Sequence, residues 1–197
     1  MEEFEQPKEK DKSKKEKKKK KKKKEGRSAE TMFRTTLASH LQLSAMADQK
    51  AGLMISINSI IISVVITFLV SEVESNPRLL VPMTLLVLVC LATITLALLS
   101  TRPSVRSKAE RLTLDKSNID LLFFGDYLAL SRDEYKEAMK QLVTEEERVK
   151  ETMIDNIYAQ GSVIERKYRL LKITYLVFMI GFPLVLLSFL VVLFGVS

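Results

Sequence analysis

Three long apolar stretches divide the chain, and polar segments of different composition separate them. The apolar stretches cover about residues 51–70, 79–100 and 173–196. An α-helix rises about 1.5 Å per residue, so a stretch of about 20 residues crosses the hydrocarbon core of a bilayer, which is about 30 Å thick. The pattern therefore predicts an all-α membrane protein with three transmembrane helices.

The first apolar stretch continues a polar segment without a break. Residues Thr31 to Val70 contain no proline, and their only glycine, Gly52, lies where the polar half gives way to the apolar half. Proline and glycine are the residues that most often interrupt helices. We therefore predict one continuous helix over 31–70, amphipathic in its first half and membrane-spanning in its second.

The polar segment before the third apolar stretch is periodic as well. From Val149 to Tyr175, apolar and large residues recur at steps of three and four, which predicts one helical face. A second long helix is therefore expected over about 147–196, continuing from the polar segment into the membrane. Upstream, Ser131 and Glu134 have the spacing of a capping box and predict a helix start.

The aromatic run that precedes this helix start has a different character. Residues Leu121 to Tyr127, LLFFGDY, are apolar and end in a Gly-Asp turn signal. This composition favours a short strand or an extended segment.

Positive charge is concentrated at the amino terminus. Residues 1–27 contain 14 of the 31 basic residues and 7 of the 24 acidic ones, so the whole net charge of +7 lies there. Repulsion among eight consecutive lysines and the scarcity of apolar residues predict a disordered basic tail. This leaves a membrane domain over 28–197. Nucleic-acid binding is not expected, because no aromatic residue is interleaved with the lysines.

The distribution of charge also predicts the orientation of the spans, because basic flanking segments stay in the cytoplasm. The loop 71–78 is net acidic and is expected outside. The amino terminus and segment 101–172 are expected in the cytoplasm, and the carboxyl terminus in the periplasm or outside the cell. The basic residues after the second span are Arg102, Arg106, Lys108 and Arg111.

The first span carries a stripe of small and hydroxyl residues at steps of three and four. Its members are Gly52, Ser56, Ser59, Ser63 and Thr67. Such a face lets helices approach closely in lipid, where the hydrophobic effect does not drive association. We predict helix packing or pore lining for this stripe. Asn58 lies off it, and we expect its amide to bond a neighbouring helix or, as a second reading, to line a pore.

Few residues are available for catalysis. The chain has one histidine, His40, and one cysteine, Cys90, and it lacks a glycine-rich phosphate loop, a two-histidine zinc motif and a nucleophile elbow. We therefore predict no enzyme, no metal and no cofactor. His40, Ser44 and Asp48 are spaced by four and share one side of the helix. Asp48 would orient His40 only through Ser44 or water, and His40 is either a packing residue or a ligand contact.

Four blocks of the sequence, taken in order, resemble a known family. They are FRTTLASHLQLSAMADQKAGLMISINSIIIS, the TRP after the second span, LLFFGDY, and ERKYRLLKITYLVFMIG. Over residues 31–197 they resemble the transmembrane effectors of Pycsar, the pyrimidine cyclase system for antiphage resistance. Ser39 departs from the family pattern, which often has Asn before the histidine.

The resemblance implies a function that the spacing alone does not. In this family a partner cyclase makes cyclic UMP or cyclic CMP on phage infection. The effector senses that nucleotide and disrupts the inner membrane, which kills the infected cell before the phage spreads. Since three spans are few for a wide pore, we also expect a homo-oligomer.

A small anionic nucleotide needs cationic and aromatic partners in the cytoplasm. Arginine binds phosphate through two parallel hydrogen bonds, and an aromatic ring stacks on a pyrimidine. The candidates within the resembling blocks are Arg34, His40, Asp48, Arg102, Phe123, Phe124, Arg166 and Tyr168.

Two other hypotheses stay open. A non-conducting membrane anchor or scaffold would recruit a cytoplasmic partner through residues 101–146. A nucleic-acid tether would require the lysine tail for function.

Overall fold

The computed structural model describes residues 8–72, 77–103 and 119–194. These ranges contain helices and turns and no strand, which confirms the all-α prediction. The elements in order are α1 (Lys8–Glu72), a 3₁₀ turn (Pro77–Leu79), α2 (Leu80–Thr101), α3 (Phe124–Tyr127), α4 (Arg132–Thr144) and α5 (Glu146–Phe194).

Three of these helices are long and apolar enough to cross a membrane. The candidate spans lie within the helical ranges Gly26–Phe68, Pro77–Thr101 and Glu146–Phe194. This confirms the prediction of a membrane protein with three transmembrane helices. The criterion is length and apolar composition, so the predicted span boundaries and the orientation stay predictions.

The chain divides into two compact units, residues 1–39 and 40–197. In the first unit, α1 begins at Lys8, inside the lysine tail. The path over 8–27 is helical, and this segment has no large apolar residue to bury, which is consistent with the disordered tail that the sequence predicts. Lysine has a good helix propensity, which favours this path, while repulsion among the consecutive lysines opposes it. The tail lysines whose side chains are described, Lys17, Lys20, Lys21 and Lys24, are exposed, so none of them adds a buried contact.

In the second unit, α1, α2 and α5 pack around two apolar clusters. One cluster joins Ala47, Ala51 and Met54 of α1 to Ala97 of α2 and Leu171 of α5. The other lies farther along the spans and joins Val65 of α1 to Met83, Leu86 and Cys90 of α2 and Val185 of α5. Each span therefore contributes one face to the interior and leaves the other faces open.

Small residues allow α2 and α5 to approach closely. Thr93, Ala97 and Thr174 are fully buried. A Cβ atom at Gly181 of α5 would lie 2.8 Å from Cγ1 of Val89 in α2, closer than real Cβ atoms come. We call this contact the closed seam; its small residues are Cys90, Thr93, Ala97 and Ser100 of α2 with Thr174 and Gly181 of α5.

The stripe predicted on the first span lies elsewhere. Its five residues, which we call the open stripe, are all exposed within this chain: Gly52, Ser56, Ser59, Ser63 and Thr67. The hydroxyls of the serines and the threonine donate to carbonyls one turn back in α1, at 2.8–3.0 Å. The open stripe therefore faces away from the contacts with α2 and α5.

The starts of α4 and α5 match the sequence predictions, whereas α1 begins at Lys8 rather than near Thr31 and the aromatic run is not extended. Ser131 and Glu134 form the predicted capping box at the start of α4, and α5 begins at Glu146. The strand or extended segment predicted over Leu121–Tyr127 is wrong, because Phe124–Tyr127 is a short helix. Its Gly-Asp pair lies inside the turn rather than after it. Arg106, Lys108 and Arg111 lie outside the described residues.

Candidate ligand-binding cavity

A cavity of about 280 Å³ lies outside the predicted spans, near the lower end of the size range of small-molecule sites. Three parts of the second unit form its wall: α1, the segment between α2 and α4, and α5. The lining residues are His40, Leu41 and Ser44; Pro103, Phe123, Phe124 and Gly125; and Gln160, Val163 and Ile164. The wall is largely aromatic and aliphatic with a few polar groups, which is typical of such sites.

Hydrogen bonds from the backbone position the aromatic side of the cavity. The carboxylate Oδ1 of Asp120 accepts from the backbone N–H of Leu122 at 2.8 Å and of Phe123 at 3.2 Å. Gly125 gives the Phe123 ring room, because a Cβ atom there would lie 2.7 Å from Cε1 of that ring. Phe124 is 57% exposed and contacts Tyr127 edge to face.

His40 supplies an imidazole to the cavity wall from α1. Its ring packs over Gly161, where an added Cβ atom would lie 3.7 Å from the imidazole Cε1. Its Nδ1 atom is buried and has no hydrogen-bond partner among the residues that the structure describes. A buried nitrogen of this kind favours a ligand or water partner, because an unmade hydrogen bond destabilises the site.

A chain of three polar side chains orients Gln160. The amide Nδ2 of Asn156 donates to Oδ2 of Asp120 at 3.4 Å, and Nε2 of Gln160 donates to Oδ1 of Asn156 at 2.8 Å. An ionised carboxylate only accepts hydrogen bonds, so Asp120 determines the direction of both amides. Gln160 lines the cavity, and its carbonyl Oε1 accepts no hydrogen bond from the other residues that the structure describes.

The environment of Asp120 has opposing effects on its ionisation. Burial raises the pKa of the Asp120 carboxyl above its ordinary value, while hydrogen bonds from Leu122, Asn156 and Phe123 lower it; the charge of Asp126 adds to the increase. The net result is that the pKa of the Asp120 carboxyl lies above its ordinary value. The three donors nevertheless favour the ionised form that the amide chain requires.

An ion pair links α1 to α5 beside the cavity. Nζ of Lys167 donates to both carboxylate oxygens of Asp48 at 2.8 Å and to Oγ of Ser44 at 2.9 Å. The Lys167 side chain is 13% exposed and that of Asp48 is 45% exposed. Ser44 also lines the cavity, so the ammonium lies one hydrogen bond from its wall. The stacked residues Ser44 and Asp48 thus bind Lys167, rather than forming a relay that orients His40.

The structure brings three of the candidate residues together, His40, Phe123 and Phe124. Arg102 is the exposed C-cap residue of α2 and precedes the lining residue Pro103. Arg166 is exposed on α5 and is not a lining residue.

The remaining candidates have other positions. Asp48 pairs with Lys167. Tyr168 donates its hydroxyl to the Leu43 carbonyl at 3.2 Å and lines a second cavity with Lys50. Arg34 is exposed in the first unit.

Comparison with protein families identifies the chain. The Pycsar effector protein domain matches residues 31–195, which is most of the sequence and includes every residue of the cavity. The chain belongs to the Pycsar effector protein family. This confirms the resemblance seen in the four sequence blocks. Searches of curated proteins and of solved structures found no significant match.

Membership carries a functional class with it. The Pycsar effector domain is a transmembrane domain of membrane effectors in antiphage defence, and it is not a known class of enzyme. Among the described residues there is no group of three His, Cys, Asp or Glu side chains that could hold a metal ion.

Sequence reasoning missed three polar residues of this Pycsar effector: Gln160, Asn156 and Lys167. Gln160 belongs to the periodic face predicted for the second long helix, and Lys167 follows the candidate Arg166. All three residues lie on α5, in the polar part of the helix that the sequence predicts. The partners, Asp120 and Asp48, are 36 or more positions away, and only the fold places them in contact.

Proposed function

We propose that this Pycsar effector binds a cyclic pyrimidine nucleotide, cyclic UMP or cyclic CMP, in the cavity around His40 and disrupts the bacterial inner membrane in response. A partner cyclase supplies the nucleotide, and the outcome is abortive infection. One observation carries the proposal. α1 and α5, which form two walls of the cavity, are the same helices that continue into candidate membrane spans.

The base has suitable partners in the cavity. Phe123 and Phe124 offer aromatic surface for stacking against a pyrimidine ring. Oε1 of Gln160 accepts a hydrogen bond, and both bases carry a donor on the pairing edge, N3–H in uracil and the amino group in cytosine. Both cyclic UMP and cyclic CMP can therefore make this stacking contact and this hydrogen bond.

The phosphate has a cation within reach of the cavity wall. Nζ of Lys167 is held by Ser44 and Asp48. A cyclic phosphate that enters beside Ser44 competes with Asp48 for the Lys167 ammonium, because charge-assisted hydrogen bonds to either anion are of similar strength. Neutralising Asp48 should therefore favour binding of the nucleotide, and removing Lys167 should weaken it.

The same competition connects binding to the membrane. The Lys167–Asp48 pair joins α1 to α5 shortly before both helices enter their predicted spans, at residues 51 and 173. A ligand shifts an equilibrium only by its difference in affinity for the two states. If the nucleotide takes Lys167 from Asp48, it favours a state in which α1 and α5 are less firmly joined at this level.

In this proposal a homo-oligomer of the effector disrupts the membrane. The open stripe supports such an assembly, because it is exposed within one chain and its hydroxyls are already bonded inside α1. Small faces of this kind suit close contact with a second copy in lipid. The amino terminus and the cavity lie in the cytoplasm in this proposal, in agreement with the charge distribution.

Dye release from liposomes that contain the full-length protein tests the proposal. Cyclic UMP or cyclic CMP should release the dye, and cyclic AMP at the same concentration should not. Lys167→Met should require about tenfold more nucleotide, whereas Lys140→Met, which removes an exposed lysine of α4, should behave as the parent protein. Correct insertion without release by either pyrimidine nucleotide would contradict the proposal.

A non-conducting anchor is the alternative, and exposed apolar and aromatic side chains on α4 and α5 favour it. Val143, Ile154 and Tyr158 are 69%, 56% and 80% exposed, and all three lie outside the predicted spans. In that case a partner docks on segment 101–146 through α4, with α5 as an added contact, and liposomes stay sealed with every nucleotide. Replacement of Tyr158 by Ser should then abolish function in cells, whereas the effector proposed above should tolerate it.

A further inference from the structure

A second cavity lies where two helices approach the predicted membrane boundary. Its volume is about 260 Å³, and Lys50, Tyr168, Leu171, Lys172 and Tyr175 line it. Lys50 immediately precedes the first predicted span, and Lys172 immediately precedes the third. The cavity therefore lies between α1 and α5 at the level where lipid headgroups are expected.

Contacts inside the chain shape this cavity. The Tyr168 hydroxyl donates to the Leu43 carbonyl of α1 at 3.2 Å, which fixes the tyrosine across the two helices. Nζ of Lys50 lies 5.9 Å from the centre of the Tyr168 ring, within the range of a cation–π contact. Leu171 is 3% exposed and forms a closed apolar floor.

The charge in the cavity is not balanced by the chain. Within the part of the chain that the structure describes, Lys50 and Lys172 form no ion pair within 4.0 Å. The carboxylates nearest in sequence are occupied, since Asp48 pairs with Lys167 and Glu165 pairs with Arg169. Two ammonium groups thus line one small cavity without an anion.

We propose that this cavity binds the phosphate headgroup of an anionic phospholipid. The two lysines supply the cationic partners of the phosphate, Tyr175 supplies a hydroxyl, and Tyr168, whose hydroxyl is used at Leu43, supplies a ring of the kind found at membrane interfaces. The surface beside the cavity continues into exposed apolar side chains of the spans, Leu53, Ile173 and Leu176, which suits acyl chains. A free phosphate would make no use of that surface, so the occupant is a lipid.

Native mass spectrometry of the full-length protein in detergent tests this site with two lipids, phosphatidylglycerol and phosphatidylcholine. The protein should retain phosphatidylglycerol in preference to phosphatidylcholine. The double variant Lys50→Gln with Lys172→Gln should bind phosphatidylglycerol about tenfold more weakly. The control Lys136→Gln with Lys140→Gln removes two exposed lysines of α4, with the same change in net charge, and should bind as the parent protein.

Three results would overturn the proposal. They are equal retention of the two lipids, equal loss of binding in the lysine variant and its control, or displacement of phosphatidylglycerol by inorganic phosphate at the same concentration. Circular dichroism checks that each variant is folded. If the double variant is unfolded, Lys172→Gln alone replaces it, with an expected loss of about threefold to fivefold and unchanged binding as the contradicting result.

Discussion

The closed seam and the open stripe are built from the same kinds of residue and have opposite environments. In the closed seam, Gly181 lies so close to Val89 that a Cβ atom would meet it at 2.8 Å. In the open stripe, a Cβ atom added at Gly52 would meet nothing within 4 Å. Small residues thus permit a close contact in one place and leave a surface in the other.

The difference shows what a small-residue pattern does and does not determine. The pattern predicts that a helix has a flat face, because the side chains of glycine, alanine and serine are small. The pattern does not predict which helix packs against that face. In this Pycsar effector, α2 and α5 pack against each other through theirs, and the face of α1 is left for lipid or for another copy of the chain.

The largest expected effect is a replacement within the closed seam. Gly181→Leu places a side chain where a single carbon already meets Val89, so α2 and α5 must separate. We expect the free energy of unfolding to fall by about 1–3 kcal/mol, the usual range for overpacking. Thermal unfolding in detergent, followed by circular dichroism, measures it. Gly52→Leu is the matched control; it brings the same gain in helix propensity without the clash and should not lower the stability. Equal losses in the two variants would show that the contrast is wrong.

The next effect concerns assembly through the open stripe. Ser59→Leu with Ser63→Leu should leave the fold of one chain intact, because both positions are exposed, and should weaken association of copies about tenfold, or about 1.4 kcal/mol. Chemical crosslinking in liposomes at several protein-to-lipid ratios measures association. The control Leu88→Phe changes an exposed apolar position of α2. Undiminished crosslinking in the double serine variant would mean that the stripe faces lipid.

A smaller effect is expected at Asn58, on the buried side of α1. The sequence predicts a bond from its amide to a neighbouring helix. In the structure, Nδ2 donates instead to the Met54 carbonyl of the same helix at 2.7 Å, and Oδ1 has no partner among the described residues. Asn58→Leu removes that unmet acceptor at similar volume. The free energy of unfolding should rise by up to about 1 kcal/mol. A loss of more than that, measured by thermal unfolding, would indicate a bond to another copy.

The smallest effect is expected from a single hydroxyl of the open stripe. Ser63 donates to the Ser59 carbonyl at 3.0 Å, which already belongs to the helix. Ser63→Ala should therefore change neither the stability by more than about 0.5 kcal/mol nor the nucleotide response of liposomes. Loss of the response with unchanged stability would show that the hydroxyl acts in a pore, contrary to its bonding within α1.

Local signals in the sequence determine much of this fold. The apolar stretches predict three spans, the Ser131–Glu134 pair predicts the start of α4, and the periodic face predicts α5 to within one residue of its start at Glu146. The aromatic run before α4 is different, because its backbone depends on hydrogen bonds to Asp120. Aromatic content alone indicates a strand there, and the structure has a helical turn.

The cavity is predictable only in part, for a related reason. His40, Phe123 and Phe124 are visible as a histidine and aromatic residues in polar segments, and the fold brings them together. Gln160 and Lys167 act through Asn156 and Asp48, and such pairs are set by the packing of α1 and the 119–130 segment against α5. The sequence alone does not show that Asn156 lies near Asp120 or that Lys167 lies near Asp48.

Calorimetric titration of the full-length protein in detergent with cyclic UMP and with cyclic CMP tests the central claim most directly. The account predicts saturable binding of at least one of the two nucleotides. It also predicts that Gln160→Leu weakens this binding about tenfold, that Asp48→Asn strengthens it, and that cyclic AMP does not bind. Absence of saturable binding by both pyrimidine nucleotides to the folded protein would contradict it.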